Sequence, residues 1–181
     1  MKTELFFLKN PRLEGILTGT VTLKDPFGKP IIEYDATADS WTEKASFPGS
    51  TRIGFTTFTI GSKGYFCNGY FDSNFTYSKE LWEYNPSTDS WTQKTDFPGS
   101  ARATSVGFTI GTIGIVGTGN DLTSNNSNMW SYDQSTNAWT SIGNFPTSTE
   151  QLVSFVIGNV AYAGIGYEGT NTQSFYKFQS K

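Results

Sequence analysis

The sequence predicts an all-β protein made of repeated antiparallel units, and three observations carry that prediction. Of 181 residues, 16% are aromatic, 19 are Gly and only 16% are charged. Aromatic and Thr-rich runs fit pleated strands and Gly fits the turns between them, whereas long helices draw on Ala, Leu, Glu, Lys and Arg. Next, the stretch Asp39-Ser-Trp-Thr-Glu-Lys-Ala-Ser-Phe-Pro-Gly-Ser-Thr-Arg52 returns as Asp89-Ser-Trp-Thr-Gln-Lys-Thr-Asp-Phe-Pro-Gly-Ser-Ala-Arg102. A looser copy reads Asn137-Ala-Trp-Thr-Ser-Ile-Gly-Asn-Phe-Pro-Thr-Ser-Thr-Glu150. Finally, Trp41, Trp91 and Trp139 stand 50 and 48 residues apart, each with a tyrosine seven residues earlier: Tyr34, Tyr84 and Tyr132.

Each module reads as four short strands. The first covers 31–34, 81–84 or 129–132 and ends in a turn rich in Asp, Pro, Ser, Thr and Asn. The second carries the tryptophan, and Pro48, Pro98 and Pro146 mark its exit, because proline cannot donate to a ladder. The third, expected over 52–60 in the first copy, ends in the recurring Phe-x-Ile-Gly of 58–61, 108–111 and 155–158. The fourth covers 65–69 and leads into the longest loop. The modules are therefore 31–80, 81–128 and 129–174, with a partial copy at 175–181. Four antiparallel strands every 45–50 residues is the pattern of a β-propeller blade.

About three blades are too few for a ring, since propellers typically have about 4–8. The frame is also offset: the chain opens on the last two strands of one blade and closes on the first three of another. An incomplete ring leaves unpaired edges. Two expectations follow: a homodimer in which a second copy completes a six-blade ring, or an arc of a longer propeller. Residues 1–30 do not repeat. Their alternating stretch at 15–23 is expected either to replace missing edge strands or to act as a docking arm.

Composition excludes several chemistries. With no histidine there is no Ser-His-Asp triad, no Cys-His dyad and no histidine-bearing metal centre. The single Cys67 allows no internal disulfide and no cysteine zinc site, and is expected to be a small buried residue. Net charge −3 and pI near 4.9 speak against nucleic acid as a partner. No stretch approaches the ~20 apolar residues of a membrane span, and the apolar run at 5–8 is too short for a secretion signal. The compartment is left open, with a secreted or cell-surface setting as the expectation.

The residues around the Trp repeat and the glycines carry a family likeness. Gly117-Thr-Gly119 and Gly164-Ile-Gly166, the Tyr–Trp spacing and the Trp-Thr-x-Lys of copies one and two together resemble bacterial kelch repeats over residues 31–178. The first copy departs from the glycine pair with Cys67-Asn-Gly69. The resemblance implies a kelch-type β-propeller in which Tyr34, Trp41, Tyr84, Trp91, Tyr132 and Trp139 pack between blades. It also implies that the long loops 69–79, 117–128 and 166–173 share one face with the blade connections. The copper site of galactose-oxidase-like propellers needs histidine ligands, and the sialidase arginine cluster and turns are absent. No cofactor is expected, and no catalytic residue is singled out.

On that loop face, positions that break the repeat are the candidate ligand contacts. Arg52 and Arg102 are replaced by Glu150, a charge reversal, and Tyr70 and Tyr167 flank a copy with Asn120. Loop one adds Phe71, Asp72, Phe75 and Tyr77, an aromatic run suited to stacking on a sugar ring or a peptide, or to packing the loop on its own blade. Asp121 and Glu168 complete the set. One carboxylate with irregular spacing does not make a calcium loop, so no metal is expected. The expected function is a non-catalytic scaffold that binds protein or glycan through these loops. The alternatives are an assembly component docked by residues 1–30 and a propeller enzyme without metal.

Overall fold

The computed structural model describes residues 30–71, 76–171 and 173–179; the non-repeating segment up to residue 29, together with Asp72 and Phe75, lies outside them. Among the described residues there is no helix, and thirteen strands form four antiparallel sheets. The strands β1 (Pro30–Asp35) and β2 (Ser40–Ser46) make a two-stranded sheet. A four-stranded meander follows: β3 (Thr56–Ile60), β4 (Lys63–Cys67), β5 (Leu81–Asn85) and β6 (Ser90–Lys94). A second meander comprises β7 (Val106–Ile110), β8 (Ile113–Gly117), β9 (Asn128–Asp133) and β10 (Ala138–Asn144). The chain closes on three strands, β11 (Val153–Ile157), β12 (Val160–Gly164) and β13 (Phe175–Gln179). Among the described residues the first sheet has two strands and the last has three. The first strands β3, β7 and β11 lie against one another, giving a propeller-like arrangement with an open trough lined by Phe58, Phe108 and Phe155. Gly107 permits that approach, because a Cβ there would stand 2.6 Å from Thr56 Cγ2 and 2.8 Å from the Thr57 carbonyl oxygen.

The Tyr-x4-Asp-x-Trp spacing has a local cause and a long-range one. Locally, the side chains of Asp35, Asn85 and Asp133 accept backbone N–H bonds two residues on, which starts each hairpin turn. The turn ends at Asp39, Asp89 and Asn137 with φ of 49°, 46° and 52°, a left-handed conformation that Asp and Asn tolerate. In each copy the tyrosine hydroxyl then donates to that residue: Tyr34 to Asp39 at 2.6 Å, Tyr84 to Asp89 at 2.7 Å and Tyr132 to Asn137 at 2.9 Å. Tyr84 and Trp91 face each other across β5–β6, and their rings lie 5.0 Å apart.

Across the sheets, the same residues clamp the N–H and carbonyl of one residue at the end of the preceding sheet, Ala45 in β2 and Thr95 just past β6. The Ala45 N–H donates to Asp89 Oδ1 (2.8 Å), while Trp91 Nε1 donates to the Ala45 carbonyl (3.0 Å). One repeat later the Thr95 N–H donates to Asn137 Oδ1 (3.0 Å) and Trp139 Nε1 to the Thr95 carbonyl (2.9 Å). In all three copies the phenylalanine of Phe-Pro inserts edge-on into the next sheet. Phe47 meets Trp91 at 5.1 Å, Phe97 meets Trp139 at 5.4 Å, and Phe145 meets Tyr176 at 4.8 Å. Trp91 and Trp139 thus each reach the preceding sheet, whereas Trp41, in the first sheet, is largely exposed.

Two apolar cores sit between the sheets. One joins Phe58, Tyr65, Cys67 and Leu81 to Val116 and Tyr132; the other joins Phe108, Ile115 and Met129 to Ala161 and Ala163. Cys67 is a buried free thiol whose pKa is raised by desolvation. It faces Leu81, whereas the equivalent Gly117 faces Met129, whose sulfur occupies the space a Cβ would need. Glu83 is buried on β5. Burial pushes its carboxyl up, but hydrogen bonds from Lys63 (2.8 Å) and the Tyr65 hydroxyl (2.5 Å) bring it below the usual range.

The third strand of each module is shorter than the sequence implies, beginning at Thr56 and not at 52. Residues 52–55 leave the ladder because Arg52 turns inward and Gly54 takes φ 68°, with Ile53 making a single bridge to Tyr70.

Candidate functional site at the loop face

The long loops and the sheet connections meet on one face. In each copy the connection bridges the loop, and the loop bridges back on itself: Ile53–Tyr70–Tyr77, Ala103–Asn120–Asn125 and Glu150–Tyr167–Asn171. Each loop also reaches the following sheet, Gly69 N–H donating to the Arg102 carbonyl (2.9 Å) and Gly119 N–H to the Thr149 carbonyl (2.8 Å). Three equivalent left-handed residues, Gly54, Thr104 and Gln151, link the sheets by backbone bonds: Gln151 N–H to Thr104 O (3.0 Å) and Thr104 N–H to Gly54 O (2.9 Å).

Arg52 and Arg102 lie beneath this surface and not on it. Both are fully buried, so neither guanidinium reaches a soluble ligand, which corrects the expectation that they line the binding face. The reason is local. A left-handed or bridged backbone exposes carbonyls that need donors, and an arginine offers five in a rigid fork. Arg52 donates to the Asn68 carbonyl, Ser78 Oγ and Glu80, and lies over Phe47 and Phe71. Arg102 donates to the Ser100 carbonyl (3.0 Å), the Thr118 carbonyl (3.0 Å) and Asn128 Oδ1 (2.8 Å), over the Phe97 ring at 5.0 Å. Desolvation pushes the Arg102 guanidinium down to about 10, still cationic at neutral pH.

A second correction concerns the third copy. Thr149, not Glu150, occupies the arginine position, since Gly119 N–H meets the Thr149 carbonyl as Gly69 N–H meets that of Arg102. The connection after Phe145 is one residue shorter than those after Phe47 and Phe97, so aligning the copies on their tryptophans places Glu150 one step too early. Glu150 instead matches Ile53 and Ala103, which removes the charge reversal and sets a half-buried carboxylate on the surface.

The surface itself is a strip. Tyr70 and Tyr77 stack with centroids 5.4 Å apart, and Tyr70 and Thr104 both border Gly54. The Thr104 hydroxyl donates to Glu150 Oε2 (2.8 Å), and the Asn125 amide donates to the Tyr167 carbonyl (3.0 Å). Burial raises the Tyr77 phenol, and the neighbouring Tyr70, Glu150 and Asp121 act in the same direction. Asp121 accepts Ser100 Oγ (2.9 Å) and Thr123 Oγ1 (2.7 Å). Burial alone would raise it, yet these bonds hold it far below the usual carboxylate range. It shapes its own loop and reaches Arg102 through Ser100, which donates to Asp121 and accepts from Arg102 Nη2 (2.8 Å). Glu168, exposed, accepts Thr147 Oγ1 (2.6 Å). Phe71 backs the Arg52 pocket. Sequence reasoning missed Thr104 and Asn125, whose single signal is their place in loops that pair across copies. Among the described residues no group of His, Cys, Asp or Glu is arranged to hold a metal ion.

One difference between the arginine pockets yields a prediction. Glu80 Oε2 accepts both Arg52 and Trp82 Nε1 (3.0 Å), while the equivalent Asn128 accepts Arg102 and leaves Trp130 Nε1 buried without a partner. Asn128→Glu is one methylene longer and charged. It is expected to stabilise the fold by about 1–2 kcal/mol, read as a higher urea midpoint at unchanged slope. An unchanged or lower midpoint contradicts this reading of the pocket.

No protein-family model matches the chain, and no curated protein matches it. Among solved structures it is similar in fold to YjhT, with a TM-score of 0.71 and 21% identity over 82% of this chain and 55% of that one. The chain thus spans about half the length of that protein, and the likeness bears on the fold alone. Among the described residues, no helix is long and apolar enough to cross a membrane.

Proposed function

We propose that the chain is an arc of a kelch-type β-propeller, a non-catalytic scaffold that binds its ligand through the loop face. The repeat motifs support the family reading, and the propeller-like stacking of the sheets agrees with it. The observation that carries the binding reading is the strip Tyr70–Tyr77–Thr104–Glu150–Tyr167–Asn125. It combines aromatic rings, a carboxylate and amides on a backbone braced from below by buried arginines. Loops on a rigid scaffold are the usual carriers of recognition. A narrow strip of rings and hydrogen-bonding groups favours a glycan over a protein partner, which would call for a broader apolar patch.

A glycan array tests this directly. The wild type is expected to retain a defined set of sugars, and Tyr77→Ala and Glu150→Gln to weaken that binding at least about tenfold, the loss of a contact worth ~1.4 kcal/mol. Their melting temperatures should stay within about 2 °C of the wild type. Wild-type binding that both variants leave intact contradicts the site. An array with no bound glycan, alongside capture of a protein through the same residues, transfers the site to the protein reading.

A further inference from the structure

The two ends of the described chain carry complementary halves of the junction that recurs inside it. In the interior junctions, an apolar face built by the first two strands and the start of the third is covered by the third strand of the next sheet. Tyr132 of β9 lies over Tyr65 at 5.7 Å and Phe58 at 6.4 Å; Phe178 of β13 lies over Phe108 at 5.2 Å. The last sheet repeats that face with Phe155, Tyr162 and Phe175, stacked on one another at 5.2–6.3 Å. No sheet covers it among the described residues. Phe155 is 48% exposed and Phe175 41%, where Phe58 and Leu81 at the same positions are 5% and 0% exposed. Val153 and Ile157 are exposed as well.

The other half stands at the first sheet. Of the four third strands, β1 alone has no sheet before it among the described residues. Its hairpin carries the covering kit used inside the chain. Tyr34 and Trp41 are paired across β1–β2 with rings 4.7 Å apart, as Tyr132 and Trp139 are at 4.9 Å, and Ile32 lies on the same face. Trp41 is 60% exposed and Ile32 is also exposed. An exposed apolar face of this kind marks an interaction surface.

We infer that the β1–β2 hairpin of a second copy of this chain covers the Phe155–Tyr162–Phe175 face, head to tail, continuing the interior junction between molecules. The occupant is a second copy because its hairpin already has the ring arrangement that Tyr132 and Trp139 place on the Phe58–Tyr65 face. A head-to-tail contact used twice closes a two-chain ring. Two copies then bring eight described sheets into one ring, four of them four-stranded blades, in place of the six blades counted from the repeat. The inference rests on the propeller reading. It is independent of the loop-face ligand, so a monomer that still binds its glycan removes the assembly and leaves the binding site standing.

The test is the solution mass of this chain, by light scattering coupled to size exclusion across a dilution series. The wild type is expected at twice 20.0 kDa. Phe155→Asp spoils one half of the junction and Trp41→Asp the other, and each is expected at 20.0 kDa with an unchanged far-ultraviolet spectrum. Mixed in equal amounts, the two variants keep one intact junction between them and are expected to associate again. Ile157→Asp, at another exposed position of the same face, stands in if Phe155→Asp does not fold. A wild type that stays at 20.0 kDa at every concentration overturns the inference. So do variants that associate like the wild type, or a mixture that stays monomeric.

Discussion

Arg102→Glu is expected to cost roughly 4 kcal/mol or more of stability, enough to unfold a domain of ordinary stability. The arginine is fully buried and supplies donors to the Ser100 and Thr118 carbonyls and to Asn128 Oδ1. Its removal leaves the Ser100 carbonyl and Asn128 Oδ1 without that donor and the Thr118 carbonyl with Ser105 Oγ alone (3.2 Å). The incoming carboxylate would face the same oxygens and the nearby Asp121 with no cation among them. Had the side chain been on the ligand face, as loop position and sequence implied, the same change would leave the melting temperature nearly untouched. Equilibrium denaturation of the variant separates the two cases. A loss below about 1 kcal/mol contradicts the structural role, because that is the range of surface substitutions.

Trp91→Ala is the second large effect, expected at about 3–5 kcal/mol from the cavity and lost packing of a ring set between sheets. That ring meets Phe47, Phe66 and Tyr84 at 5.0–5.1 Å, and its Nε1 holds the Ala45 carbonyl. Trp41→Ala, made in the Phe155→Asp background where no second copy covers the first sheet, is the internal control, since the same residue of the repeat is largely exposed in the single chain and should cost far less. Equal losses for the two would contradict the assignment of Trp91 to the junction.

These two variants also mark how far the sequence could be read. Tyr84, Asp89 and Trp91 are legible because three copies repeat them, and a group needed in every module serves the module. The offset of the sheets follows from the same repeat, as does the loop face. The arginines misled because a charged residue after Pro-Gly-Ser resembles a solvated loop. Nothing in the residue string tells that Thr118 and Asn68 turn their carbonyls inward at φ 57° and 63° and demand a donor there. Glu150 misled for another reason. A connection shortened by one residue shifts the register of everything after it while leaving Trp139 and Phe145 in line. Thr104 and Asn125 carry no chemistry of their own in sequence; proximity alone brings them to Glu150 and Tyr167.

The two four-stranded sheets are each locked to the sheet before by an Asp or Asn and a Trp that hold the N–H and the carbonyl of one residue. Amide hydrogen exchange at Ala45 and Thr95 tests it most directly. Ala45 lies near the end of β2 and Thr95 one residue beyond β6, at the outer edge of their sheets, where an N–H without the clamp would face water. The clamp predicts that both exchange as slowly as the core amides of β4 and β8, and that Asn137→Ala releases Thr95 while leaving Ala45 protected. Fast exchange at Ala45 and Thr95 in the wild type would contradict the account.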